Sequence, residues 1–214
     1  MIYHNLAYGR LKGEIRMKDI EIYSDLLVNG FKDDPGIIAQ LRGVSNPVEI
    51  FKAQCRREVE VFSKMGFVIT YGEGDAILIG INSKKLSSPE FIQCLQEDSQ
   101  YVTNEINEED LSIMQENIEK VYSITDAEWY KKFADDKEVF IIQVIVIKKE
   151  LQGTGIFRKL MSQVFEKCSE NNMIIALQTH NPDNVIKYEH LGFKLMEKVS
   201  SEEINLSCYN LLKY

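Results

Sequence analysis

The sequence predicts an α+β fold, α/β sandwich-like in its layering, on three observations. A β-hairpin pattern at residues 67–81 interrupts a largely helical first half. The last third alternates strand, helix, strand, helix and a closing strand pair. Two strands of that third are apolar at nearly every position, as strands buried on both faces are. The 214 residues, 44% of them apolar, suit one packed domain over 1–214. Four Pro and 12 Gly exclude collagenous or linker-like sequence.

The elements follow in order. Asp19 is placed to cap a helix carrying Ile20, Ile22, Tyr23, Leu26 and Leu27, ending near Asn29-Gly30. Asp33-Asp34-Pro35 restarts a short helical piece. Asn46-Pro47 reads as an N-cap with proline first in the helix, and Val48, Phe51, Val59 and Phe62 continue at helical spacing to Gly66. Residues 67–71, a turn at Gly72-Glu73-Gly74-Asp75 and residues 76–81 form the hairpin. The polar stretch 82–99 holds a short helix after Pro89. Residues 108–133 are helical in pattern, with Leu111, Met114, Ile118 and Val121 on one stripe. Residues 139–147 are the first buried strand. A glycine-bearing turn then leads into a helix striped by Ile156, Phe157, Leu160, Met161, Val164, Phe165 and Cys168. Residues 173–177 form the second buried strand. A short helix over 182–190 and closing strands at 193–199 and 204–212 complete the chain.

The 33 acidic and 25 basic side chains give a formal charge of −8. That balance argues against sequence-independent nucleic-acid binding, which needs a basic face. Cys55, Cys94, Cys168 and Cys208 form no CxxC pair, and the three histidines add no metal spacing. All four cysteines read as reduced, partly buried thiols, and no metal is expected. The N-terminal MIYHNLAYGRLKGEIR has no apolar run of signal-peptide length, and no segment approaches the ~18 apolar residues of a membrane span. A cytoplasmic protein without nucleic-acid or membrane partners is expected.

The most informative segment is VIVIKKELQGTGIFRKLM, residues 144–161. A buried strand ends, glycines follow, and an amphipathic helix begins. Glycines let backbone approach a ligand, and the unpaired N–H groups of a helix start attract phosphate. Gly153 and Gly155 alone also fit a tight turn without a ligand. A Walker loop is excluded because no Gly-Lys-Ser/Thr follows, and a dinucleotide fingerprint because Arg158 occupies its third glycine. Lys148, Lys149, Arg158 and Lys159 bracket the turn.

QGTGIF, with Ile147 five residues before Gln152, resembles the acyl-CoA-binding motif of the GNAT acetyltransferase superfamily, Q/R-x-x-G-x-G/A. About thirty residues on, NPDNVIKYEHLGF resembles that superfamily's second motif. The resemblance covers residues 139–199. It implies a mixed central sheet flanked by helices, with 138–214 as the acetyl-CoA-binding half and 1–137 as the acceptor side. It implies that Ile145, Val146 and Ile147 bond the pantetheine arm and acetyl group through their backbone. Gln152, Gly153, Thr154, Gly155, Ile156, Phe157 and Arg158 would cradle the pyrophosphate. Tyr188 would protonate the departing thiolate, and Asn181 and Asn184 would contact the cofactor. Phe157 departs from the motif's small residue.

The rest weighs chemistry against plainer roles. Asn181-Pro182 also reads as an ordinary helix cap, Tyr188 as a core aromatic, and Gly192-Phe193 as a turn. The strand lacks the carboxylate that some members use as a base, and Gln143 cannot accept a proton. Glu138, Glu128 and Asp135-Asp136 read as loop charges, so His180 is taken as the general base. The expected function is N-acetylation of a primary amine of a small molecule or peptide by direct attack, with acetyl-CoA as co-substrate. A non-catalytic acyl-CoA-binding sensor on the same fold is the alternative, for which Phe157 and the missing carboxylate speak. Trp129 and Tyr130 either line the acceptor site or join the core. The strand ending at Tyr214 is available to pair across a homodimer.

Overall fold

The computed structural model describes residues 17–214, so the segment MIYHNLAYGRLKGEIR, on which part of the targeting argument rests, lies outside the described residues. In chain order the elements are α1 Met17–Phe31, α2 Pro35–Gln40, α3 Pro47–Met65, β1 Phe67–Tyr71, β2 Ala76–Asn82, α4 Ser83–Leu86, α5 Pro89–Glu105 and α6 Glu108–Tyr122. Then follow β3 Val139–Ile147, α7 Ile156–Glu170, β4 Ile174–Thr179, α8 Pro182–Glu189, β5 Lys194–Ser201 and β6 Leu206–Lys213. Short 3-10 turns cover Trp129–Lys132 and Lys149–Leu151.

One six-stranded sheet runs β1-β2-β3-β4-β6-β5. Its only parallel pair is β3 with β4, so the sheet is mixed, as expected. Alternate residues of the central strands feed opposite cores. Ile77, Ile79, Ile81, Val139 and Ile141 pack with Leu27, Phe51, Val59 and Phe62 from α1 and α3. Leu78, Phe140, Ile142 and Leu177 pack on the other face with Leu160, Met161 and Val164 of α7. No described helix is long and apolar enough to cross a membrane.

A bulge interrupts this alternation. Ile79 pairs with Val144 but Gly80 pairs with Ile142, which leaves Gln143 as an extra residue on β3. The phase of the strand shifts beyond it. Val144 and Val146 now face α1 and α3, while Ile145 and Ile147 pack on the α7 side. Gln143 itself is exposed.

Several boundaries differ from expectation, each for a local reason. α1 continues through Gly30 to Phe31, because this glycine serves contact rather than termination: a Cβ there would lie 2.5 Å from Val146 Cγ1. Asn46 precedes α3 without a side-chain cap, its amide donating to Ser45 Oγ at 3.2 Å instead, and Val48 is 63% exposed on the outer face. After Pro89 the helix runs 17 residues, started by Ser88 Oγ accepting from Phe91 N–H and anchored by Phe91 against Phe62. α6 stops at Tyr122, and the stretch after it turns where Asp126 Oδ1 accepts from Glu128 N–H. Trp129 and Tyr130 are core residues, Trp129 at 1% exposure. β6 lies between β4 and β5 with both edges paired, so it has no edge to offer a second copy.

All four cysteines are free thiols, as expected, with Cys55, Cys168 and Cys208 buried. Burial pushes the Cys168 thiol up to about 12 and Cys208 up to about 11, from an ordinary 9.0. A raised value favours the protonated, folded state. That stability is full below the ordinary value and is lost as pH rises through the folded one. The melting temperature should therefore hold level from pH 6 to 8 and fall from about pH 9 to 12. Cys208→Ala should shallow the fall by up to ~1.4 kcal/mol per pH unit. Thermal melts across that range check it; an unchanged slope refutes it.

Candidate active site

The site begins where β3 and β4 part. They pair from Val139–Ile174 to Ile142–Leu177 and no further. Beyond that point β3 stays with β2, and Gln178 and Thr179 stay with β6. One edge of residues 143–147 is thereby left facing a gap, its backbone N–H and C=O groups unclaimed by β4. The extra residue Gln143 sits at the parting.

One side of the gap is a cleft of about 390 Å³. Ile145, Val146, Ile147, Gln152, Gly153, Phe157, Asn181, Asn184 and Tyr188 line it, all of them expected from the sequence. Thr154, Gly155, Ile156 and Arg158 do not. Ile156 is buried in the α7 core, Arg158 is exposed, and the Thr154 hydroxyl donates to the Leu151 carbonyl at 2.6 Å. What these residues offer a ligand is backbone. Gly153 (φ 80) and Gly155 (φ 89) take left-handed conformations that favour glycine, and Gly155 is the N-cap of α7. No side chain caps that helix, so its first-turn N–H groups are available to an anion. A Cβ at either glycine would meet nothing within 4 Å, so the turn faces open space. Gln152 Nε2 braces it by donating to the Ile147 carbonyl at 3.3 Å.

The basic residues around the turn divide in use. Lys148 pairs with Asp75 at 2.8 Å, and Lys159 lies 5.4 Å over the Tyr71 ring. Lys187, unremarked in the sequence, lines the cleft and donates to Asn184 Oδ1 at 2.9 Å. Both asparagines also hold structure. Asn181 Oδ1 accepts from Asp183 N–H at 3.0 Å as the α8 cap, and Asn184 Nδ2 reaches Thr179 Oγ1 at 3.4 Å.

Tyr188 is clamped between two rings. Phe157 tilts on it at 5.9 Å and Phe193 meets it edge-on at 5.7 Å. The departure from the motif at Phe157 thus places a ring that orients Tyr188. Burial pushes the Tyr188 phenol up to about 12, and its hydroxyl makes no hydrogen bond among the described residues.

A second pocket of about 240 Å³ opens on the other side. It shares Phe31, Asp34, Ile145, Asn184 and Tyr188 with the first, so the two meet at Tyr188. His180 lines this second pocket. Its Nδ1 lies 3.0 Å from the Ser207 carbonyl, which only accepts, so Nδ1 carries the hydrogen and Nε2 of the neutral ring keeps its lone pair. Phe51, Cys55 and Glu58 of α3 line it too. The structure therefore brings Tyr188 and His180 to one continuous cavity.

The α3 residues were missed from sequence, although a signal exists. Phe51, Cys55, Glu58 and Phe62 recur at helical spacing, and a carboxylate on an otherwise apolar stripe marks an unusual face. The loop carboxylates do lie elsewhere. Glu138 bonds Asn82 and Lys84 at the far end of β3, and Glu128 bonds Lys131. Among the described residues, no group of three or more His, Cys, Asp and Glu side chains is arranged to hold a metal ion.

No protein-family model matches the chain. Solved structures do. A Corynebacterium glutamicum structure described as histone acetyltransferase HPA2 and related acetyltransferase superposes with TM-score 0.62 at 14% identity, over 96% of this chain and 94% of that one. An acetyltransferase of the GNAT family from Desulfovibrio desulfuricans superposes with TM-score 0.52 at 8% identity, over 96% and 98%. The chain has the GNAT acetyltransferase fold. Arylalkylamine N-acetyltransferase 2 from Aedes aegypti shares this GNAT fold with TM-score 0.54 at 16% identity, over 96% and 98%. In sequence, an uncharacterized N-acetyltransferase of Schizosaccharomyces pombe is 34% identical over 68 residues, 32% of this chain. The match spans about a quarter (27%) of that relative's length.

Proposed function

We propose that the protein is an N-acetyltransferase that moves the acetyl group of acetyl-CoA to a primary amine of a small molecule or peptide by direct attack. The observation that carries this reading is the meeting of two pockets at Tyr188: one ends on an uncapped helix start, the other on a histidine with a free lone pair. The helix start and the Gly153–Gly155 turn suit pyrophosphate oxygens. The edge of Ile145–Ile147 that β4 leaves open, with the Ile147 carbonyl already accepting from Gln152, suits the amides of the pantetheine arm and holds the thioester at the junction. Residues 138–214 supply most of this cofactor half, and in the acceptor pocket residues of 1–137 on α1, α2 and α3 face β3, β4 and α8 of 138–214.

Chemical balance assigns the remaining roles. An ammonium acceptor loses two protons from nitrogen as the C–N bond forms and the C–S bond breaks. His180 Nε2 takes the first and passes it to solvent, which leaves a nucleophilic amine. Tyr188 gives its hydroxyl proton to the coenzyme A sulfur as the C–S bond breaks, and the second proton leaving nitrogen returns through solvent to restore the phenol. A phenol held near 12 stays protonated at neutral pH, so Tyr188 serves as donor and not as base.

Thiol release from acetyl-CoA with a panel of primary amines tests the proposal. Binding of coenzyme A without amine-stimulated release would leave only the sensor reading. Gly155→Val provides a site control. A β-branched residue at φ 89 is strained by ~1–2 kcal/mol, and moving the turn should weaken acetyl-CoA binding at least ~10-fold by calorimetry. Unchanged affinity would remove the helix start from the cofactor site.

A further inference from the structure

One carboxylate stands where the two pockets meet. Asp34 lines both the cofactor cleft and the acceptor pocket, whereas Asp33 lines the cleft alone and is exposed. Asp34 Oδ1 accepts from the N–H groups of Gly36 and Ile37 at 2.9 and 3.4 Å, and Oδ2 takes no part in that cap. Among the described residues no cation pairs with Asp34. Lys187, the basic residue of the cleft, donates to Asn184 Oδ1 at 2.9 Å, and no lysine or arginine lines the acceptor pocket. Glu58, the other carboxylate of that pocket, lies outside the cofactor cleft and already has a partner. Asp34 also stands beside the proposed base. A Cβ on Gly36 would lie 3.1 Å from Asp34 Oδ1 and 2.4 Å from His180 Cδ2, so carboxylate and imidazole are neighbours across a glycine.

We propose, resting on the acetyltransferase reading, that Asp34 selects the acceptor: its Oδ2 holds an ammonium group at the junction, so the protein takes aliphatic amines, which are cations at neutral pH, in preference to neutral arylamines. Asp34 is half-buried, so its charge is felt in the pocket without being stranded there. An ammonium on Oδ2 makes a charge-assisted hydrogen bond, and a neutral amine makes a weaker one. The place also suits the chemistry. Nitrogen held on Oδ2 lies beside the His180 ring, whose Nε2 takes the proton. The positive charge then passes from nitrogen to imidazole while the same carboxylate stays beside it. The freed amine is left facing the thioester at the junction.

Dissociation constants for cyclohexylamine and aniline decide the matter, since the rings are of similar size and only the first amine is charged at neutral pH. Both are measured by calorimetry on the protein saturated with coenzyme A, which has no acetyl group to transfer. Cyclohexylamine should bind more tightly, and raising the salt should narrow the gap. In Asp34→Asn the preference for cyclohexylamine should fall about 5- to 30-fold, with the aniline constant within about twofold of its original value. Asparagine caps a helix as well as aspartate does, so α2 keeps its start and the charge alone is lost, which a melt confirms. Asp34→Ser, another neutral cap, should repeat the fall. Aniline binding as tightly as cyclohexylamine, or more tightly, in the unaltered protein overturns the proposal. A preference that stays within about twofold in Asp34→Asn overturns it as well, and either result leaves the transferase reading standing. Thiol release from acetyl-CoA is read separately. If no primary amine stimulates it although acetyl-CoA binds, the proposal falls together with the reading beneath it.

Discussion

Tyr188→Phe is expected to lower kcat about 100-fold or more, while acetyl-CoA affinity shifts by less than about threefold. The substitution is well matched to the site. Phenylalanine keeps the ring that Phe157 and Phe193 clamp at 5.9 and 5.7 Å, so packing persists and only the hydroxyl is lost. That hydroxyl has no partner to orphan among the described residues. Its pH behaviour is a second readout. An ordinary tyrosine ionises near 10, whereas burial holds this one at about 12. A donor must be protonated, so kcat of the unaltered protein should stay level through pH 10 and decline only as the phenol ionises. Steady-state kinetics of both proteins across pH 7 to 10.5, with melts to bound stability, checks this. A kcat for Tyr188→Phe within twofold of the unaltered protein would reduce Tyr188 to a packing residue.

How much of this was legible beforehand follows from the range of each interaction. The strand Val139–Ile147, the turn at Gly153–Gly155 and the stripe of α7 were readable because periodicity and glycine placement are local. Ends set by long-range contact were not. Gly30 looks like a helix stop until Val146 is seen against it, and α5 looks polar until Phe91 is seen against Phe62. The bulge at Gln143 is invisible in an apolar run, because only the register with β2 reveals an extra residue. Yet it is this insertion that turns Val144 and Val146 towards α1 and Ile145 and Ile147 towards α7, at the point where the strands part. Most residues lining the first cleft were therefore nameable, since one strand, one turn and one short helix supply them. The second pocket is assembled from α1, α2, α3, β3, β4 and α8, and nothing in the spacing of Asp34, Glu58 and His180 announces that they share a wall.

Gly36→Ala should cost about as much catalysis as removing His180 itself, roughly 10- to 100-fold in kcat, through displacement of the imidazole. Gly36 sits in the first turn of α2, where alanine suits the backbone and should even favour the helix by about 1 kcal/mol. Its Cβ, however, would lie 2.4 Å from His180 Cδ2 and 3.1 Å from Cγ, well inside contact distance. The ring is a rigid plane tied by Nδ1–H to the Ser207 carbonyl at 3.0 Å, so it cannot yield without breaking the bond that fixes its tautomer and aims Nε2. Loss of aim, rather than loss of the group, is the mechanism. A double-variant cycle separates it from harm to the nearby cap, since Asp34 Oδ1 also lies 3.1 Å from that Cβ. If Gly36→Ala works through His180, it should add almost nothing on top of His180→Gln, because residues acting as a unit are not additive. A full additional loss in the double variant would place the damage at Asp34 rather than at His180.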